Sequence, residues 1–237
     1  VKLAVFDLDQ TLVDLVWLHN RAAEAVFQRW FGVSAQATEV DSSGRSLDDI
    51  LREVSRRRGF STVKVEAEMP AMLEAYHRVF LDNLCGDSLR CLLPGVPGVL
   101  DALIAAGALV GLYTGNSPAV GAAILEATGI GHYFRYRQFG TEVPVRSDML
   151  RRIIRDIARD TGRVFGGKEL VVLGDSARDV AAGLEMGARV VGVATGFYPV
   201  DELKRLGADV VFKDMGDTAA VSAAVCGPLD ARPGGET

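Results

Sequence analysis

Asp7 and Asp9 follow a short apolar run, Leu3 to Phe6, within the sequence Asp7-Leu8-Asp9-Gln10-Thr11. Side chains alternate along an extended chain, so the two carboxylates point one way and Leu8 the other. Carboxylates paired at the end of a buried strand are costly, because each raises the cost of ionising its neighbour. A cation between them, or a proton-transfer role for one of them, would offset that cost. A second acidic pair follows another apolar run, where Leu170 to Leu173 lead into Gly174-Asp175-Ser176-Ala177-Arg178-Asp179. The spacing puts Asp175 and Asp179 on one face of a first helical turn. A third run, Leu109 to Tyr113, ends in Thr114-Gly115-Asn116-Ser117-Pro118. Ser117 and Pro118 form a helix start. A hydroxyl, a glycine and free helix N–H groups suit an anionic oxygen. Three predicted strands thus end in oxygen ligands for a hard cation and donors for a phosphate.

The elements that must hold these residues read as an α/β fold. Beyond residue 94 apolar strands alternate with helical patterns, with further strands at Val190 to Val193 and Val210 to Phe212. Such alternation implies parallel strands joined by right-handed crossovers. Ligands in such sheets bind beyond the carboxyl ends of the strands, where all three motifs fall. Between Thr11 and Thr114 the pattern is instead helical. Its apolar stripes are Ala22, Ala25, Val26 and Trp30; Leu47, Ile50, Leu51 and Val54; and Val65, Met69, Met72, Leu73, Tyr76, Val79 and Phe80. They predict a small helical bundle over 15–93, flanked by an α/β unit of 1–14 and 94–225. Pro94-Gly95 and Pro97-Gly98 mark the return to that unit. The polar segment 226–237, rich in Gly and Pro, reads as a flexible tail.

Composition sets limits. A content of 49% hydrophobic and 24% charged residues belongs to a folded protein and excludes wholesale disorder. A net charge of −5 argues against a nucleic-acid or anionic-membrane partner. The one dense basic run, Arg56-Arg57-Arg58, reads as a solvated helix face. No apolar stretch reaches membrane-spanning length, and the chain opens directly into a strand, so no signal peptide is expected. Cys85, Cys91 and Cys226 lack metal-ligand spacing and read as free thiols of a cytoplasmic protein.

Taken together, these motifs resemble the haloacid dehalogenase superfamily, whose members are mostly magnesium-dependent phosphatases. Its D-x-D-x-T motif matches Asp7, Asp9 and Thr11, its strand ending in Thr or Ser matches Thr114, and its G-D-x-x-x-D motif matches Gly174, Asp175 and Asp179. The resemblance implies a Rossmann-like core and identifies 15–93 as a helical cap, hinged near Val13 to Val16 and Leu92 to Gly95. Two positions depart from the pattern. Gln10 stands where many of these phosphatases have Gly. No Lys occupies the third motif, and Arg146, just ahead of a predicted helix, is the best substitute. Arg146 reads either as a phosphate contact or as a solvated arginine at a helix start. Arg keeps the charge but replaces a compact ammonium by a planar fork.

By the same resemblance, Asp7 is the nucleophile that forms an aspartyl-phosphate, and Asp9 the acid and base that serves the leaving oxygen and then water. The implied cofactor is Mg²⁺, held by Asp7, Asp175 and the Asp9 backbone carbonyl, with Asp179 and Thr11 behind them. Thr114, Gly115, Asn116 and Arg146 would hold the phosphoryl oxygens. Arg45, in a Gly-containing loop before the Leu47 helix, reads either as the contact for the rest of a small phosphorylated metabolite, of the 2-phosphoglycolate or sugar-phosphate kind, or as an exposed arginine near a helix start. His19 and Trp17 read as packing residues, and Arg178 as solvent-facing. Asp9 weighs against a dehalogenase, which expels halide without a proton. Lys64, the only cap lysine, makes a poor imine former for a phosphonatase. A sugar phosphomutase or a non-catalytic scaffold of the same fold stays open.

Overall fold

The computed structural model describes residues 2–84, 91–143 and 145–227. One parallel sheet is built from β1 (Leu3–Phe6), β2 (Leu109–Thr114), β3 (Tyr136–Phe139), β4 (Leu170–Gly174), β5 (Arg189–Val193) and β6 (Val210–Phe212), in the order β3-β2-β1-β4-β5-β6. β1, β4 and β5 are buried at every position. Helices cover both faces, which is why these strands read as unbroken apolar runs. Ala4 and Phe6 face α4 (Val96–Ala105), α5 (Pro118–Ala127) and α9 (Thr218–Cys226). Leu3 and Val5 face α6 (Arg146–Thr161) and α7 (Ala177–Glu185) on the other side. α8 (Val200–Arg205) joins β5 to β6. β3 carried no apolar run in the sequence. Its Arg137 and Gln138 are tolerated because it is an edge strand and only partly buried.

The strand order reverses beside β1, and that places the site. Phe6 pairs with Leu112 on one side and with Leu173 on the other. The residues that follow these partners therefore emerge together at the carboxyl edge.

Ahead of α4, three further α-helices lie between β1 and β2: α1 (Val16–Phe31), α2 (Leu47–Arg57) and α3 (Thr62–Asn83). They share a core of Leu18, Ala22, Val26 and Phe27 with Leu51, Val54, Met72, Tyr76 and Phe80. Ala25 and Trp30 sit at its margin, because the buried face of α1 is turned toward Leu18, Ala23 and Phe27. The segments leading into and out of these helices run side by side. Val13 bridges Leu92, Asp14 N–H donates to Cys91 O at 2.8 Å, and Leu93 N–H donates to Leu12 O at 3.0 Å. Arg56 and Arg58 pair with Glu53 and Glu39 on the surface. Cys226 closes α9 rather than opening a tail, while Cys85 and residues 228–237 lie outside the described residues. Among the described residues no helix is long and apolar enough to cross a membrane.

Candidate active site

Asp7 leaves β1 with its N–H still donating to Leu173 O at 2.9 Å, so the strand ladder fixes its backbone. Its carboxylate is buried beside those of Asp175 and Asp179, and one oxygen from each lies within 4.8 Å of the others. Asp175 follows β4 and accepts from Thr11 Oγ1 at 3.2 Å. Asp179 is the third residue of α7 and completes a capping box with Ser176, accepting from Ser176 N–H at 3.0 Å and Oγ at 2.6 Å.

Arg146 is not solvated. It opens α6, is 6% exposed, and Nη1 donates to Asp7 at 2.8 Å and to Asp179 at 2.7 Å. Its guanidinium lies 4.7 Å over the Tyr113 ring, whose hydroxyl donates to Asp179 at 2.7 Å. Its Nε donates to Gly44 O, in the loop before α2, at 3.1 Å. A planar fork can serve the carboxylates and that carbonyl at once, which a lysine ammonium at the end of a single stem is not shaped to do.

One guanidinium set against three buried carboxylates leaves the cluster short of positive charge. Burial, with Asp179 and Asp9 nearby, pushes Asp7 up to about 7 despite Arg146. Burial, with Asp7 and Asp179, also raises Asp175 far above the usual carboxylate range. A buried set of hard oxygen donors that cannot all ionise unaided fits a divalent cation.

Asp9 stands in a different environment. Its side chain is 31% exposed, one oxygen lies 2.9 Å from His19 Nε2, and the other accepts from Asn116 Nδ2 at 2.6 Å. Burial would raise this carboxyl, but His19 and Asn116 outweigh it and hold Asp9 below the usual value. His19 Nδ1 in turn lies 2.6 Å from the Tyr76 hydroxyl. With Asp9 as acceptor, His19 carries a proton on Nε2, and the Tyr76 hydroxyl fixes the ring from its Nδ1 side. His19 is thus more than packing. Its nearness to the first motif was a usable signal, whereas nothing in the sequence tied Tyr76 to Asp9.

The other expected residues fall around a cavity of about 90 Å³ between the sheet edge and the inserted helices. Gly115, Asn116, Arg45 and Arg146 line it together with Asp7, Asp9 and Asp175. Thr114 is fully buried behind it, where its hydroxyl accepts from Asn116 N–H at 3.2 Å. Gly115 is required by close approach, since a Cβ there would lie 1.9 Å from Arg45 O. The Arg45 guanidinium is occupied by Asp49 at 2.8 Å and by Asp41 O at 3.0 Å. Arg178 is not solvent-facing only: its Nη1 reaches the loop before α2, donating to Ser43 O at 2.6 Å.

A family model for haloacid dehalogenase-like hydrolases matches residues 1–187, and the chain belongs to that family. It is 27% identical over 222 residues to a phosphoglycolate phosphatase of Agrobacterium fabrum, covering 90% of this chain and 88% of that one. A phosphoglycolate phosphatase of Haemophilus influenzae is 26% identical over 234 residues, covering 93% and 97%. Among solved structures, a predicted phosphoglycolate phosphatase from Haemophilus somnus superposes with a TM-score of 0.75 at 23% identity, covering 93% and 97%. A β-phosphoglucomutase from Clostridium difficile gives 0.77 at 16% identity, covering 95% and 97%. At these identities the solved structures show the shared fold.

Proposed function

We propose that this chain is a magnesium-dependent phosphatase that hydrolyses a small phosphorylated metabolite, of the phosphoglycolate kind, through an aspartyl-phosphate on Asp7. The observation that carries this reading is the contrast between two carboxylates two residues apart. Asp7 is buried in a cation-poor acidic cluster, while Asp9 faces the cavity and is held by His19 and Asn116. With a cation in the cluster Asp7 is ionised for attack, while Asp9 lies at the cavity, free to serve the leaving oxygen. The names of the curated relatives support the phosphatase reading and its substrate kind.

In this scheme an Asp7 oxygen attacks phosphorus as the bond from phosphorus to the leaving oxygen breaks. Asp9, entering this step protonated, gives that oxygen its proton and leaves as the carboxylate. Asp9 then takes a proton from a water whose oxygen attacks the acyl phosphate, freeing inorganic phosphate and restoring Asp7. Asp7, Asp175 and the Asp9 carbonyl would hold Mg²⁺, with Thr11 fixing Asp175 and Asp179 holding Arg146 behind them. When bound, the ion offsets the repulsion between carboxylate and phosphate dianion, about 8 kcal/mol at about 4 Å and an effective dielectric of about 20. Gly115 and Asn116 amides and Arg146 are the candidate contacts for phosphoryl oxygens. Arg45 would meet the remainder of the substrate only by leaving Asp49.

Release of inorganic phosphate from a panel of phosphorylated metabolites, with and without Mg²⁺, tests the proposal. Turnover of at least one ester that needs the metal and vanishes in Asp7→Asn is expected. Wild-type rates that survive thorough chelation would overturn it.

A further inference from the structure

The loop 41–46, between α1 and α2, lies over the acidic cluster and is fastened to the sheet domain at four places. Asp41 Oδ2 accepts from Tyr198 O–H at 2.9 Å and from Arg178 Nη1 at 3.2 Å. Ser43 O accepts from the same Arg178 nitrogen at 2.6 Å, and Gly44 O from Arg146 Nε at 3.1 Å. Arg45 O rests against Gly115, where there is no room for a Cβ. The groups come from three separate stretches of chain besides β2: the start of α6, the first turn of α7, and the segment after β5.

Asp41 is the hub of this arrangement. Its other oxygen accepts from Ser43 N–H at 3.1 Å, and its own carbonyl accepts from Arg45 Nε at 3.0 Å. One carboxylate oxygen therefore shapes the loop while the other docks it. The docking pair lies at the solvent edge, with Asp41 30% and Arg178 35% exposed, so it can part without uncovering a core. Among the described residues neither side chain hydrogen-bonds Asp7, Asp9 or Asp175. The loop, however, contacts Arg146, and Arg146 bonds Asp7 and Asp179. Docking of the loop is thus felt at the nucleophile through one guanidinium.

We propose that Asp41 is a positioning residue for the phosphatase reaction, forming with Arg178 and Tyr198 a latch that fastens loop 41–46 over the catalytic carboxylates. The proposal rests on the phosphatase reading, but the latch itself can be read without turnover. In the closed state the loop holds Arg45 at the cavity wall and braces Arg146 from the far side. Releasing the latch leaves the carboxylate cluster in place and loosens the cover, so it weakens retention of substrate more than it slows chemistry.

The test uses Asp41→Ala, Arg178→Ala, their double variant and Tyr198→Phe, in the full chain. Amide hydrogen exchange of residues 42–46 reads the latch directly, and steady-state kinetics on p-nitrophenyl phosphate at saturating Mg²⁺ read its effect. The single alanine variants should exchange the loop amides at least tenfold faster and raise KM three- to tenfold, with kcat within twofold and the thermal midpoint unchanged. The double variant should be worse than either single one, but by less than the product of their effects. The two share one bond, while Arg178 to Ser43 O and Tyr198 to Asp41 are each lost separately. Unchanged exchange and KM would overturn the latch, and so would a joint fall of kcat and thermal midpoint, which marks a merely structural role. Should Asp41→Ala fail to fold, Tyr198→Phe, which removes one hydroxyl, must still speed exchange. Faster exchange in a protein without phosphatase activity would sink the functional reading and leave the latch standing.

Discussion

His19 Nε2 lies 2.9 Å from Asp9 Oδ1, joining the first of the inserted helices to the acidic motif of the sheet. On its other side the ring meets the Tyr76 hydroxyl at 2.6 Å, so one imidazole is gripped from two elements and points at one carboxylate. His19→Ala leaves Asp9 with Asn116 as its only side-chain hydrogen-bond partner among the described residues. Because acid–base assistance is worth about 10²–10⁴ in rate, the variant should lose about tenfold or more in kcat on an alkyl phosphate. Tyr76→Phe should lose less, since it frees the ring without removing it. Stopped phosphate-release assays on both variants decide this, and equal wild-type rates would return His19 to a packing role.

Asp7→Asn separates chemistry from stability. An amide cannot form the acyl phosphate, so turnover should vanish. The metal-free fold should be as stable as the wild type or more so, because a buried carboxylate crowded by Asp175 and Asp179 becomes neutral. Thermal melts in chelator beside phosphate-release assays would show this. A sharply lowered melting point would mean that the bond from Arg146 to Asp7 outweighs the crowding.

The raised Asp7 carboxyl also sets a pH dependence. It titrates near 7 in the folded protein without metal, against an ordinary value of 3.8. Between those values the folded state binds more protons than the unfolded chain. Its contribution to stability is therefore fully present below about pH 3.8 and is lost as pH rises to about 7. Divalent metal competes with that proton, so Mg²⁺ should stabilise the protein more at pH 8 than at pH 5.5 and release protons on binding. Denaturant melts at the two pH values, with and without Mg²⁺, check the sign. A metal effect that shrinks with rising pH would contradict it.

Gln10 takes φ 57°, the only left-handed residue among the described ones that is not glycine. That conformation gives a physical reason for the glycine expected at this place, because a Cβ is disfavoured there. Gln10 offsets part of the strain through a 2.8 Å bond from its side-chain amide to Asp14. Gln10→Gly should change stability by less than about 1 kcal/mol, relief of strain opposing the entropy gained by the unfolded chain. A loss of several kcal/mol in denaturant melts would show that the bond to Asp14 dominates.

The sheet and its acidic edge were legible because each motif follows a strand buried on both faces, and burial writes itself as an apolar run. Arg146 could be named but not placed, since an arginine at a helix start looks the same in sequence whether it is solvated or folded onto carboxylates. β3 was hidden because an edge strand need not be apolar. Tyr76, Asp41 and Tyr198 were invisible for another reason. Their partners are far away in the chain, and a tyrosine in an apolar stripe or an aspartate in a loop carries no mark of what it will meet.

The pairing of β1 has a consequence for how the protein is made. Leu3 registers with Leu109 on one side and with Leu170 on the other, so the strand that carries Asp7 finds its first neighbour only once β2 has been synthesised and its second only once β4 has. Such distant pairings are slow to form. A nascent or truncated chain ending before β4 holds Asp7 but lacks Asp175, Asp179 and the ladder bond to Leu173. The acidic cluster is thus assembled late, and on the proposed function a chain ending before β4 should show no phosphatase turnover.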